Sequence, residues 1–164
     1  MKYWHNSSIL FDFIPYREYT MAIHVLISER VEGSTRSILN FLKENDTEML
    51  SRTIEIINHI HDRWWHPTMP YAKPLYWNDV GLCEIRSKYN REELLRIYYF
   101  VHREPWETRL VLLNATIKPD WEKYPAYYEG TKWKRLRKEI ETSIEIALKL
   151  QKNYLSQLSL YEFL

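Results

Sequence analysis

Three strand-like runs in the second half of the sequence each set a cation opposite an apolar face. Over residues 82–89, Cys83 and Ile85 share one parity, while Glu84, Arg86 and Lys88 share the other. Over residues 92–102, Ile97, Tyr99 and Val101 alternate with Arg96, Tyr98 and Phe100. Over residues 108–118, Val111, Leu113, Ala115 and Ile117 alternate with Leu112, Asn114, Thr116 and Lys118. Successive side chains on a strand point to opposite sides, so neighbouring strands would gather Arg86, Arg96 and Lys118 on one open sheet face. Lys73, in a proline-bracketed loop just upstream, reaches the rim, and Lys88 adds a further RNA-binding charge. Converging Arg and Lys suit a phosphate, Arg through its planar fork of donors and Lys as a compact charge. Tyr98 adds a phenol that can hydrogen-bond or stack on a base. Such a site can cleave RNA without a metal. The substrate's own 2′-hydroxyl attacks phosphorus, and the protein orients it, stabilises the phosphorane and manages two protons. On spacing alone, Arg and Lys on the outer face of a sheet are more often an ordinary solvated face.

Other chemistries find less support. Cys83 is the one cysteine, which excludes an internal disulfide and leaves no Cys-based zinc site; its apolar strand suggests a small buried side chain. His24 falls in a strand, and His59, His61 and His66 lie on or just after a helix. Only His59 and His66 could share a helix face, and His66 adjoins Pro67, so neither a metal nor another cofactor is expected. The 3 glycines form no phosphate-cradling run. The formal net charge of +1 is low for a nucleic-acid binder, so a local cluster of cations would have to supply the affinity. A basic run, KWKRLRKEIE at residues 132–141, opens a helix against its dipole. It is a docking surface for an acidic partner or RNA, or else a solvated face. No apolar stretch reaches membrane-spanning length and the start has no signal-peptide core, which points to the cytoplasm.

The elements that must position these residues follow from periodicity. Residues 19–29 alternate as a first strand, with Met21, Ile23, Val25 and Ile27 on one side. Ser34 or Thr35 can cap a short helix marked by Ile38, Leu39, Phe41 and Leu42. Asp46 caps a second, in which Met49, Leu50, Thr53, Ile54, Ile57 and Ile60 recur at helical spacing. Residues 64–80 are a loop, the three strands form an antiparallel meander, and residues 119–130 are a second, aromatic loop. A long amphipathic helix runs from Thr131 to about Gln157. The order β-α-α-β-β-β-α defines an α+β fold, with residues 1–18 as an N-terminal arm, 19–157 as the domain and 158–164 as a tail. The expected core sets Cys83, Ile85, Ile97, Val101, Leu113 and Ile117 against Ile54, Ile57, Leu136 and Ile140.

Four short motifs, in order and at fitting spacing, resemble the core of the RelE-like toxin superfamily, specifically its phage-derived HigB-like branch. They are Pro70-Tyr71-Ala72-Lys73-Pro74-Leu75, Gly81-Leu82-Cys83-Glu84-Ile85-Arg86, Arg96-Ile97-Tyr98-Tyr99-Phe100 and Ile117-Lys118. The resemblance spans roughly residues 19–155. It implies the toxin of a type II toxin–antitoxin system, a metal-independent, ribosome-dependent mRNA endonuclease. Its partners would be mRNA, the ribosome and a cognate antitoxin, commonly of helix-turn-helix type. By position it implies Arg86, Arg96, Lys118 and Tyr98 as catalytic residues and Lys73 as a functional cation. Pro119, where relatives carry a second basic residue, and the long 119–130 insert depart from the pattern. They keep open the alternative of a non-catalytic RelE-fold module that binds a protein or RNA.

Overall fold

The computed structural model describes residues 20–27, 31, 33–62, 71–75, 81–105 and 107–164; the expected N-terminal arm and most of the 64–80 loop lie outside them. Among the described residues, strand β1 (Thr20–Leu26) leads to helix α1 (Thr35–Asn45) and helix α2 (Thr47–Asp62). Strands β2 (Ala72–Pro74), β3 (Cys83–Lys88), β4 (Glu93–Arg103) and β5 (Glu107–Pro119) follow, then helix α3 (Gly130–Asn153) and strand β6 (Tyr161–Phe163). This is a mixed α+β fold around a six-stranded sheet of order β2-β3-β4-β5-β1-β6. Sequence-adjacent β2 to β5 pair antiparallel, while β1 inserts beside β5 in parallel and takes β6 on its other side.

The helical hairpin starts where its caps place it. Ser34 Oγ accepts from the Ser37 amide at 3.4 Å, and Asp46 Oδ1 accepts from the Met49 amide at 3.0 Å. Each satisfies an amide that the first helical turn leaves unpaired. Two strands were not expected. β2 and β6 have three residues each, too short for a periodic signal, and they exist because β3 and β1 offer them an edge. The long helix also stops earlier than its apolar stripe suggests, passing into 3₁₀ turns from Tyr154.

Helices cover both faces of the sheet. On one, Leu42, Ile57 and Ile60 of the hairpin pack on Ile85, Leu95, Ile97, Tyr99, Leu112 and Ala115. On the other, Ile144, Ala147 and Leu150 of α3 pack with Tyr154 and Tyr161 on Tyr98, Phe100, Val111 and Leu113. The expected core therefore needs two corrections. Ile140, with Ile144, Ala147 and Leu150 of the same helix, belongs to the face opposite the hairpin, where α3 shields apolar rings that would otherwise meet water, and Leu136 is buried but does not join the hairpin core. Leu113 also packs there and not beside Ile97.

A β-bulge explains Leu113. Ile97 pairs with Ala115 but Tyr99 pairs with Leu112, so β5 carries one extra residue opposite Tyr98. The start of α1 holds this irregularity. Thr35 Oγ1 donates to the Leu113 carbonyl at 2.6 Å, Ser34 bridges to Asn114, and the Ala115 amide donates to Gly33 O at 2.8 Å. Gly33 adopts φ +72, and a Cβ there would lie 2.8 Å from the Ala115 carbonyl oxygen, so both backbone and space call for glycine. The bulge reverses the parity of β5 partway along. Val111 and Leu113 lie on the α3 side, Ala115 and Ile117 on the hairpin side, and Thr116 returns to the α3 side to meet Tyr98.

Candidate functional site

Register lays the sequence-selected residues in cross-strand rows on the α3 side of the sheet. Lys73 pairs with Glu84 and Glu84 with Tyr98; Arg86 pairs with Arg96 and Arg96 with Thr116; Lys88 pairs with Leu94 and Leu94 with Lys118. Without the extra residue in β5, Lys118 would fall on the hairpin side. The bulge is thus the device that delivers it to the row next to Arg96.

Glu84 is the centre of the arrangement. Its Oε1 lies 3.2 Å from Arg86 Nε, 3.5 Å from Lys73 Nζ and 3.5 Å from Arg96 Nη1. Side-chain exposure falls from 30% at Lys73 through 24% at Arg86 to 12% at Arg96, so Lys73 is at the rim and Arg96 at the base. Contrary to what parity alone implies, the sheet face is not open at Arg96: its guanidinium is mostly buried near Glu84, Arg86, Tyr98 and Tyr128, and α3 packs on the other half of this face. Arg96 Nε and Nη1 are buried and make no hydrogen bond among the described residues; Nη1 has only ion-pair proximity to Glu84. Buried donors without acceptors are unfavourable, and an anion's oxygens are what would satisfy them.

The electrostatics agree with crowding of like charge. Burial, followed by Arg96, pushes the Lys118 ammonium down to about 8, with Lys73 and Arg86 adding to the effect and Glu84 opposing it. Burial also lowers Arg96, with Glu84 opposing and Arg86 reinforcing. Among the described residues one carboxylate, Glu84, acts on all four cations. Tyr98 lies beneath the cluster, 1% exposed, with its hydroxyl 3.0 Å from Thr116 Oγ1 and burial raising its pKa to about 12. That hydroxyl braces β4 against β5; it has no path to a substrate base. Lys88 is exposed at the end of β3.

Glu84 is the participant whose role spacing did not reveal. Parity sets it beside Arg86, but its three-way sharing depends on the β2–β3 and β3–β4 registers. Tyr128, in the 3₁₀ turn Pro125–Tyr128, is a second such residue. It is half-buried, donates to the Pro119 carbonyl at 2.6 Å, and feels Arg96 electrostatically. No group of three or more His, Cys, Asp or Glu among the described residues could hold a metal ion. Cys83 is partly buried, with burial raising its thiol pKa.

Fold and site together define an α+β domain with a cation-rich, partly buried side-chain cluster on one half of a sheet face. No family model matches the sequence, and no curated protein does. Among solved structures, the YoeB/ParE toxin from Agrobacterium tumefaciens is similar over 60% of this chain and 98% of its own, at 15% identity and a TM-score of 0.41. No described helix is long and apolar enough to cross a membrane.

Proposed function

We propose that the protein is the toxin of a toxin–antitoxin pair, and that it cleaves mRNA at the Arg86–Arg96–Lys118 cluster through the substrate's 2′-hydroxyl. The observation that carries the reading is Arg96, whose buried Nε and Nη1 make no hydrogen bond among the described residues and which sits amid three other cations and the Glu84 carboxylate. The four RelE-like motifs in the sequence point the same way. In this mechanism Arg86 and Arg96 stabilise charge on the phosphorane, as donors fixed in a poorly solvated site do most effectively. Lys73 guides the strand in from the rim. Lys118, held near 8, exchanges a proton close to physiological pH and is protonated when substrate arrives. The 2′-hydroxyl gives its proton to solvent as its oxygen bonds to phosphorus, and Lys118, as general acid, protonates the departing 5′-oxygen. Glu84 holds the cations together and keeps them apart from one another's repulsion. The products are a 2′,3′-cyclic phosphate and a 5′-hydroxyl, with no metal required.

One observation favours a second reading. Glu84 contacts three of the four cations, as it would in a module that binds RNA or a protein without cutting. The deciding experiment incubates purified protein with ribosome-bound and free mRNA in the presence of a chelator and maps ends by primer extension. Cuts bearing a cyclic phosphate support the nuclease, whereas intact RNA retained by the protein supports the binding module. Induced expression in bacteria should arrest growth and translation, with relief on coexpression of the cognate antitoxin; vigorous growth with soluble, folded protein counts against a toxin.

A further inference from the structure

The aromatic insert after β5 and the basic run that opens α3 take no part in the chemistry above, yet they adjoin it. The chain leaves Lys118 at Pro119, turns at Trp121–Lys123, and enters the 3₁₀ turn that sets Tyr128 beside Arg96. Trp121 and Tyr127 remain 59% and 43% exposed, while Tyr128 is fixed by Pro119 and by a tilted contact of 5.3 Å with Trp133. Lys132 Nζ stands 5.1 Å from the centroid of the Tyr127 ring. Lys132, Lys134, Arg135, Arg137 and Lys138 are all exposed, and the first turn of α3 holds no acid. Arg135 and Arg137 meet Glu139 and Glu141 one turn on, but such exposed pairs hold their cations weakly. The described carboxylates near this surface are Asp120, Glu122, Glu129 and Glu92; the Asp120 carboxylate accepts from the Glu122 amide, and Glu92 is engaged by the Tyr124 hydroxyl.

We propose that residues 120–138 form a second binding site, a stacking platform for the single-stranded RNA that flanks the phosphate held by Arg86 and Arg96. Its position along the substrate rests on the nuclease reading. Exposed rings interleaved with cations are what an unpaired strand uses: bases stack on the rings and the backbone follows the charges. An acidic protein would use the cations, but the continuity with the Arg86–Arg96 cation cluster through Lys118 and Tyr128 favours a nucleic acid. A duplex would not fit the same way, since its bases already stack on one another.

The test uses full-length protein and a fluorescein-labelled single strand of about ten nucleotides, a length within the usual range of such sites, with 2′-O-methyl riboses that prevent cleavage. The double variant Trp121→Ala/Tyr127→Ala should bind about ten- to a hundredfold more weakly by anisotropy, with an unchanged melting temperature. Tyr127→Phe should bind like wild type, because the ring and not the hydroxyl stacks. Lys132→Gln/Lys134→Gln should lower the slope of log Kd against log salt by about 1 to 1.5. Binding of the single strand within twofold of wild type in the double aromatic variant overturns the platform. So does a poly-glutamate peptide that binds in an aromatic-dependent manner while RNA binding is indifferent to Trp121 and Tyr127. If wild type proves unable to cut but the aromatic variant still loses the oligonucleotide, the platform stands and the nuclease reading falls. If Arg96→Gln abolishes cutting while the aromatic variant binds and cuts like wild type, the reverse holds.

Discussion

Two charged clusters lie on the α3 side of this sheet, and they are built on opposite rules. Toward the start of β5, Arg109 Nη2 meets Glu107 Oε2 at 2.5 Å, and Arg109 Nη1 donates to the Tyr154 hydroxyl at 3.3 Å. That hydroxyl lies 2.7 Å from His24 Nδ1. The hydrogen bond that Arg109 donates to Glu107 raises the pKa of Arg109 and lowers that of Glu107, so each partner favours the other's charged state. Burial and Arg109 lower His24, keeping it neutral beside the pair. At the other end of β5, burial and neighbouring cations lower both Arg96 and Lys118 despite Glu84. A balanced cluster stabilises the charges it holds, which suits a structural role: fastening the C-terminal segment through Tyr154. An unbalanced cluster destabilises its own charges and is relieved by an incoming anion, and such perturbation marks functional sites more often than structural ones.

The largest expected effect would break this contrast if it failed. Arg96→Gln should reduce RNA cleavage by about 10²–10³, the usual consequence of losing one donor to transition-state charge. Arg109→Gln should leave cleavage within a fewfold of wild type but lower the melting temperature, because it strands Glu107 and removes a donor to Tyr154. Arg96→Lys should rescue only in part, lacking the bidentate fork. Equal cleavage by Arg96→Gln and wild type, with both proteins folded, would remove the functional meaning of the imbalance.

Much of the cation cluster was legible from alternation alone, because β3 and β4 pair without interruption and parity carries Glu84, Arg86, Arg96 and Tyr98 to one face. β5 behaves differently. Straight alternation groups Leu113 with Ile117, and the bulge separates them; the same bulge is why Lys118 nonetheless arrives on the cation side. An extra residue in one strand is visible only against its partner, and its stabilising contacts come from Gly33, Ser34 and Thr35, about eighty residues away in sequence. The sharing of Glu84 and the covering of the second face by α3 are likewise long-range facts. Local cues such as the Ser34 and Asp46 caps were readable because their contacts span three residues.

The bulge supplies the next prediction. Gly33→Ala should destabilise the protein by about 2–4 kcal/mol, combining left-handed backbone strain with a forced shift of the Ala115 carbonyl. Gly130 also has positive φ, +58, but a Cβ there meets nothing within 4 Å. Gly130→Ala should therefore cost only backbone strain, about 1–2 kcal/mol. If the bulge delivers Lys118, cleavage by still-folded Gly33→Ala should fall well below that of Gly130→Ala. Denaturant melts paired with the cleavage assay compare the two. Equal losses of stability would show that the close approach at Gly33 is unimportant.

The smallest effect expected is the most specific to the unbalanced cluster. Lys118 has its pKa lowered to about 8 in the folded protein from the ordinary lysine value of 10.5. Between those values the unfolded chain keeps a proton that the folded chain has released, so unfolding takes up protons and stability rises with pH across the window. Below about 8 both states are charged and the full cost of burying the ammonium among cations is present. Above about 10 tyrosine ionisation in the unfolded chain works in the opposite direction, since burial raises Tyr98 to about 12. The comparison is therefore pH 7.5 against pH 9.5 in a Cys83→Ser background, because burial also raises the Cys83 thiol, whose earlier ionisation in the unfolded chain would oppose the gain. This parent should gain about 1 kcal/mol of unfolding free energy over that range, less than the full conversion of the shift because the ammonium retains some solvent and is screened. Lys118→Met, similar in length and without a titrating group, should lose this gain and be more stable than the parent at pH 7.5. It should also cleave RNA poorly at every pH, with the wild-type rate declining as Lys118 deprotonates above about 8 and no longer serves as acid. A parallel rise in the parent and Lys118→Met would assign the pH dependence elsewhere and leave Lys118 an ordinary lysine.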